Sequence, residues 1–139
     1  MTCNDAETLA DGSSFTTVLQ WLNDNADKWL VAIGSNCCRL LHSSKIINTI
    51  NSSLTNCETL KKNNVKIIMY PNSGEIYDGI NKTWHVDESL HFSGDLHDAV
   101  FEQAQSWLKN PVVGVVGGCC RTNDEDTKML RKAVNSAYL

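Results

Sequence analysis

The sequence predicts an α/β fold in which parallel strands alternate with helices. Short β-branched, apolar runs ended by Gly, Pro, Ser or Asn recur along the 139 residues and are typical of buried strands. Between these runs, apolar residues recur at intervals of three and four, as expected of helices with one buried face. Such alternation requires right-handed crossovers, so the carboxyl ends of all strands are expected to meet at one edge of the sheet.

The bulk composition is that of one globular domain. Hydrophobic residues make up 42% of the chain and charged residues 20%, with a formal net charge of −4. This acidic balance argues against a nucleic-acid-binding surface, and no apolar run approaches the roughly 20 residues of a membrane span. The polar start, MTCNDAETLADG, is not a signal peptide. We therefore expect a cytoplasmic protein whose cysteines are reduced.

The first half of the chain is predicted to contain a strand tail, a complete strand and two helices. Residues 1–3 resemble the tail of a strand, and residues 29–36, WLVAIGSN, form a β-branched run ended by Gly, Ser and Asn. The first helical stripe consists of Phe15, Val18, Leu19 and Leu22. The second consists of Ile47, Ile50, Leu54 and Cys57.

The second half is predicted to hold two strands, a long loop and two helices. Residues 65–70, VKIIMY, and 111–116 are the strands. Between them, a polar loop spans residues 71 to about 94, a length that indicates a functional or mobile segment. The helix after that loop is marked by Leu96, Val100, Ala104 and Trp107. A capping box of Thr122 and Glu125 predicts where the last helix begins.

Cysteines concentrate at the predicted carboxyl ends of the strands, which read TCND, GSNCC, YPNSGE and GGCCRT. In βα folds this edge is where ligands bind. Cys119 and Cys120 would supply two ligands of a tetrahedral zinc site if the chain turned sharply there. The glycines at positions 117 and 118 favour such a turn because glycine tolerates unusual backbone angles. A third ligand would come from the neighbouring strand end, at Cys37 or Cys38.

Other interpretations of the cysteines stay open. A free cysteine also serves as a small buried hydrophobe, which is how we interpret Cys57, and Cys3 has no assigned role. A vicinal disulfide between Cys119 and Cys120 is a further, strained alternative. A thiol redox function would normally use a Cys-x-x-Cys motif, which the sequence lacks. The four histidines fall in loops or at helix starts and are interpreted as solvated side chains.

Four motifs together resemble the homocysteine S-methyltransferase family. They are GGCCRT (117–122), IGSNC (33–37), YPNSGEIYD (70–78) and DGSSF (11–15), and their order and spacing agree with the family across nearly the whole chain. YPNSGEIYD looks more like the branch that uses S-methylmethionine or S-adenosylmethionine than the betaine-using branch. Ser35 departs from the pattern, because the family usually has a branched residue there.

The resemblance implies a zinc-dependent (β/α)₈ TIM barrel, of which this chain would be the second half. Residues 1–139 would then form a single partial domain with about four parallel strands and interleaved helices. The implied zinc ligands are Cys37, Cys119 and Cys120. The implied substrate-binding residues are Asn36, Tyr70 and Asn72. No catalytic residue is implied beyond the metal site, because zinc favours the thiolate form of the substrate without a general base.

The reaction implied by the resemblance is methyl transfer from a sulfonium donor to homocysteine, which yields methionine. In the family, the first four βα units supply acidic groups for the substrate ammonium and part of the donor pocket. We therefore expect the chain alone to be a weak enzyme or none, and to pair with an N-terminal half-barrel or with itself. The alternative function is a non-catalytic zinc-binding fragment or partner module, which would take up zinc without binding homocysteine.

Overall fold

Strands and helices alternate along residues 1–138, the part of the chain that the computed structural model describes. The helices are α1 (Phe15–Asn25), α2 (Ser43–Leu54), α3 (Glu58–Lys62), α4 (Leu96–Trp107) and α5 (Asp124–Tyr138), with a 3₁₀ turn at Leu40–His42. The strands are β1 (Ala32–Asn36), β2 (Lys66–Tyr70), β3 (Glu75–Asp78), β4 (Thr83–Val86) and β5 (Val113–Val116).

The central sheet is parallel and has the strand order β1-β2-β5, which confirms the predicted α/β class. Ile33 of β1 pairs with Ile67 of β2, and Ile67 pairs in turn with Val113 of β5. The predicted strand tail at residues 1–3 lies beside β1, where Thr2 forms a parallel bridge with Asn36. The carboxyl ends of all these segments therefore share one edge.

Helix α1 begins where the apolar pattern predicts. Its N-cap is Ser14, whose hydroxyl accepts a hydrogen bond from the Thr17 amide at 3.0 Å.

Helix α2 is shorter than predicted, because it ends at Leu54 and leaves Cys57 outside, although Cys57 is buried. The two residues between Leu54 and Cys57 are Thr55 and Asn56, whose low helix propensity explains the early end.

The last helix is capped one residue later than the sequence predicts, so the Thr122–Glu125 capping box is wrong. The Asn123 side chain accepts hydrogen bonds from the amides of Glu125 (2.8 Å) and Asp126 (3.2 Å), and Asp126 accepts from the Asn123 amide (2.9 Å). The Thr122 hydroxyl instead donates to the Cys119 carbonyl at 2.6 Å. Thr122 therefore closes the cysteine loop rather than the helix.

The predicted polar loop contains a β-hairpin formed by β3 and β4. Tyr77 faces Trp84 across the hairpin, with ring centroids 5.1 Å apart. The strands are four residues each and carry polar side chains at half of their positions, so the apolar pattern did not reveal them. An aromatic cross-strand pair of this kind stabilises a two-stranded ribbon.

The core lies between the parallel sheet and the helices that cover one of its faces. Its largest fully buried apolar side chains are Trp107, Phe15, Leu19, Leu40, Ile46, Ile50, Leu60, Ile67 and Met69. Within residues 1–138, none of the helices combines the length and apolar character that a bilayer crossing requires.

Candidate metal centre

Three cysteine sulfurs come together at the carboxyl edge of the sheet. Those of Cys37, Cys119 and Cys120 all lie within 4.8 Å of one another. Cys37 directly follows β1, whereas the other two follow β5 by a few residues. The Cys37 sulfur lies 3.8 Å from that of Cys120 and is paired with that of Cys119 in a disulfide. This pairing differs from the vicinal one considered as an alternative for Cys119 and Cys120.

The backbone turns abruptly at both cysteine loops. Cys37 has a φ of 54° and Arg121 a φ of 66°, the left-handed region that non-glycine residues seldom adopt. At Cys37 the turn comes immediately after β1, while the Cys37 amide still donates to the Tyr70 carbonyl of β2 at 2.9 Å. The side chain of Cys37 thereby leaves the alternation of the strand and reaches the edge.

The glycine pair before Cys119 is explained by lack of space rather than by unusual backbone angles. Neither Gly117 nor Gly118 has a positive φ, so the predicted reason is wrong. A Cβ on Gly117 would lie 2.5 Å from the Tyr70 ring, and one on Gly118 would lie 2.6 Å from the Thr122 side chain. Only glycine lets the chain pass this closely before it reaches the cysteines.

Residues 70–73, which we call the bridging segment, lie between the two cysteine loops and are hydrogen-bonded to both. The four bonds run from Cys37 N to Tyr70 O (2.9 Å), Asn72 N to Cys38 O (2.9 Å), Cys119 N to Pro71 O (2.8 Å) and Ser73 N to Cys120 O (3.3 Å). The segment begins at Tyr70, the last residue of the middle strand β2, which is why it reaches both neighbours. The separation of the two loops therefore depends on this segment.

Two ion pairs, which the sequence analysis missed, connect the cysteine loops to the hairpin. Arg39 donates to both carboxylate oxygens of Asp87, from Nε at 2.9 Å and from Nη2 at 2.7 Å, and the Asp87 side chain is only 2% exposed. Burial is the largest single influence on Asp87 and opposes its ionisation, but the Arg39 guanidinium and the hydrogen bonds from Ser89 together outweigh burial and hold the pKa of that carboxyl below its ordinary value. Arg121 Nε donates to Glu75 at 2.9 Å and likewise lowers the pKa of Glu75.

The three predicted substrate-binding residues all lie at the same edge. Asn36 donates from Nδ2 to the Cys37 sulfur at 3.4 Å. Tyr70 is half-buried, and its ring approaches Gly117. Asn72 is buried, and its Oδ1 has no hydrogen-bond partner within residues 1–138. A buried acceptor left without a donor is uncommon, because it carries the full desolvation penalty.

The remaining cysteines lie outside the group of three sulfurs. Cys38 is buried next to Met69, with the two sulfurs 3.9 Å apart, although it is adjacent to Cys37 in sequence. Cys57 is buried under α1, and Cys3 is half-buried and accepts a hydrogen bond from Ser35 at 3.3 Å. Burial as small apolar side chains accounts for Cys38 and Cys57.

Comparison with known proteins gives one consistent family. Residues 1–134 match the family described as Homocysteine S-methyltransferase. Homocysteine S-methyltransferase YbgG of Bacillus subtilis (strain 168) is 34% identical over 119 residues, which cover 85% of this chain and 31% of that protein. Homocysteine S-methyltransferase 1 of Zea mays is 31% identical over 128 residues, covering 92% and 34%. The chain thus spans about a third of the length of these curated relatives.

Solved structures show the same fold. The homocysteine methyltransferase MmuM from Escherichia coli, in its oxidized form, superposes with a TM-score of 0.59 at 22% identity and covers 94% of this chain and 33% of that one. Its metallated form gives a TM-score of 0.55 at 24% identity, covering 95% and 33%. Nearly all of this chain therefore has the arrangement of strands and helices found in one third of that enzyme.

Proposed function

The chain belongs to the homocysteine S-methyltransferase family, and from that membership we propose that it carries the thiolate metal centre of a methyl transfer to homocysteine. The methyl donor is a sulfonium compound, S-methylmethionine or S-adenosylmethionine, and the product is methionine. The observation that supports this proposal is the convergence of three sulfurs, within 4.8 Å of one another, from two segments more than 80 residues apart.

The donor set fits Zn²⁺. Zinc prefers thiolate ligands in a tetrahedral array, and three protein ligands leave the fourth position for a substrate. The ligands would be Cys37, Cys119 and Cys120, and the exposure of Cys120 leaves that side of the cluster open to an incoming thiol. When bound, zinc stabilises a coordinated thiol as the thiolate, which is the nucleophile that methyl transfer requires.

The reduced state of the cluster is part of the proposal. A cysteine ligates metal as its thiolate, so the Cys37–Cys119 disulfide must be reduced before zinc binds. A cytoplasmic location would supply those conditions, because thiols there are kept reduced. Asn36 then orients the Cys37 sulfur through its 3.4 Å hydrogen bond, which also favours negative charge on that sulfur.

Substrate recognition is assigned to the bridging segment. Asn72 Oδ1 is a buried acceptor that finds no donor among residues 1–138, and a bound amino acid would supply the missing N–H group. Tyr70 lines a hollow of about 520 Å³ together with Met1, Ile33, Ile68 and Cys119. This hollow connects the apolar face of the sheet to the cysteine cluster.

We further propose that residues 1–139 form one partial domain, the second half of a (β/α)₈ barrel. The second face of the three-stranded sheet is only partly buried at Lys66, Ile68 and Tyr70, and this face supports the proposal together with the one-third coverage of the relatives. Completion by an N-terminal half-barrel, or by a second copy of the chain, would cover that face and supply the remaining substrate contacts. The isolated chain is then a weak enzyme or inactive. A non-catalytic zinc-binding partner module is the alternative function.

The test is zinc content followed by homocysteine titration. The reduced wild-type chain should retain about one zinc per chain after gel filtration, whereas Cys119→Ser should lose most of it. Cys57→Ala is the matched control, because Cys57 is a buried cysteine outside the cluster. Saturable homocysteine binding by the zinc-loaded chain supports the methyltransferase centre. Zinc uptake without homocysteine binding supports the partner module, and a wild-type chain without zinc contradicts both.

A further inference from the structure

We propose that Arg39 and Arg121 are positioning residues that hold the two cysteine loops at the separation the metal requires, by anchoring both loops to one hairpin. The inference rests on the proposed metal centre and assigns a role to residues outside it. Arg39 comes two residues after Cys37, and Arg121 directly follows Cys120. Each cysteine loop therefore carries its own arginine close to a proposed ligand.

The acidic partners of the two arginines belong to one structural unit. Glu75 opens β3, and Asp87 directly follows β4. The Asp87 amide donates to the Gly74 carbonyl at 3.0 Å, which closes the hairpin at its base. Both carboxylates thus extend from the same end of the hairpin, one toward each cysteine loop. A shift of either loop has to break an ion pair or move the whole hairpin.

The geometry of the pairs suits a positioning role. The guanidinium of Arg39 binds both oxygens of Asp87, and this planar, two-pronged contact fixes orientation as well as distance. Arg121 contacts both oxygens of Glu75 from Nε (2.9 Å) and Nη2 (3.4 Å). Once the Cys37–Cys119 disulfide is reduced, as metal binding requires, the backbone hydrogen bonds through the bridging segment and these ion pairs are what connect the loops around the cluster. Metal coordination tolerates errors of only about 0.2 Å, so small loop movements matter.

The test measures zinc affinity by competition with a chromophoric chelator under reducing conditions. Glu75→Gln and Arg121→Gln are used first, because this pair is partly exposed and its loss leaves the core intact. Each should lower zinc affinity by about tenfold, as the loss of outer partners of metal ligands commonly does. The matched control is Glu7→Gln, which removes the ion pair with Lys45 (2.7 Å), where both side chains are more than 60% exposed. The zinc affinity of Glu7→Gln should stay within about twofold of the wild-type affinity.

A charge swap separates positioning from general stability. The double variant Arg121→Glu with Glu75→Arg restores an ion pair of reversed direction, so it should regain most of the affinity that either single variant loses. Substitution by Co²⁺ adds a spectroscopic signature, because its visible bands report the coordination geometry. The single variants should change these bands, and the swap should return them toward wild type. Asp87→Asn should have the same effect on the other loop.

The outcomes distinguish this inference from the proposed function. If the wild-type chain binds zinc and Glu75→Gln, Arg121→Gln and Asp87→Asn bind it equally well with unchanged Co²⁺ spectra, the positioning role is overturned and the metal centre stands. If the wild-type chain binds no zinc, the metal centre fails and the positioning role fails with it. A loss of affinity confined to the variants near the cysteines, with Glu7→Gln unaffected, supports the inference.

Discussion

The sulfur of Cys37 lies 3.8 Å from that of Cys120, although 83 residues separate them in the chain. The two reach the same place because β1 and β5 flank β2 in one parallel sheet, so their carboxyl ends share an edge. Sulfurs at this separation can share one metal ion after a small adjustment, since Zn–S bonds are about 2.3 Å long.

Zinc should protect the clustered cysteines from alkylation. When the reduced chain is treated with iodoacetamide, bound zinc should slow labelling of Cys37, Cys119 and Cys120, because their sulfurs would be engaged. Peptide mass mapping with and without zinc measures this. Half-buried Cys3, outside the cluster, is the internal control and should label at the same rate in both samples. Equal labelling of Cys120 with and without zinc would contradict its role as a ligand.

Oxidation should block zinc uptake and do so reversibly. The contact between Cys37 and Cys119 predicts that a mild thiol oxidant links these two residues and removes two thiolates from the donor set. Peptide mapping of the oxidised chain should show the 37–119 cross-link, and a dithiol reductant should restore zinc binding. A 119–120 link as the main product, or full zinc uptake by the oxidised chain, would sink this prediction.

A methyl group at position 117 should destabilise the fold. In Gly117→Ala the new Cβ meets the Tyr70 ring at 2.5 Å, so overpacking should lower the free energy of unfolding by about 1–3 kcal/mol. Gly79→Ala is the matched control, because a Cβ there meets no atom of the described residues within 4 Å, and its effect should stay within about 0.5 kcal/mol. Urea unfolding measures both. If the two variants are equally stable, the close approach of Tyr70 is not what selects glycine at 117.

His97 should make stability depend on pH. Its Nδ1 lies 2.7 Å from Asp126, a residue only 1% exposed, and this hydrogen bond raises the pKa of His97, with the charges of Asp126, Asp95 and Glu125 adding to it. Because its pKa is raised in the folded state, protonated His97 contributes its full stabilisation when the pH is below its unfolded-state pKa of about 6.5. This contribution is lost as the pH rises through the folded-state pKa.

The comparison of wild type with His97→Gln checks this dependence. The difference in unfolding free energy should be largest below about pH 6.5 and should shrink as the solution becomes alkaline. His91→Gln is the control, because His91 is an exposed loop residue, and its difference from wild type should not follow this trend. A constant difference between wild type and His97→Gln across the range would show that the His97–Asp126 contact does not depend on protonation.

The order of the main elements could be predicted from the sequence, because it follows from local periodicity. Apolar residues at intervals of three and four marked α1 and α4, and β-branched runs marked β1, β2 and β5. The apolar periodicity gave no clear prediction where an element was short or mixed apolar with polar residues. Strands β3 and β4 have four residues each, and half of those residues are polar. The predicted cap of α5 was misplaced by one residue because Asn123 and Thr122 are both of a type that caps helices.

The cysteine motifs and the family resemblance were also available from the sequence, since both are contained in short segments. The residues by themselves left open whether Cys37 or Cys38 would lie beside Cys119 and Cys120, and the family resemblance implied Cys37. The fold decides it through a left-handed turn at Cys37 and the burial of Cys38 against Met69. The reason that Gly117 is glycine also depends on the fold, because the Tyr70 ring that leaves no room for a Cβ belongs to another strand.

By itself, the sequence determined the α/β class, the family and the segments that carry the sulfurs, because backbone geometry within one element acts over a few residues. Only the tertiary structure showed that the three sulfurs implied by the resemblance do meet, which glycines are sterically required and how Arg39 and Arg121 tie the cysteine loops to the hairpin. Those distances depend on strand register and on the packing of segments tens of residues apart, and no local pattern encodes them.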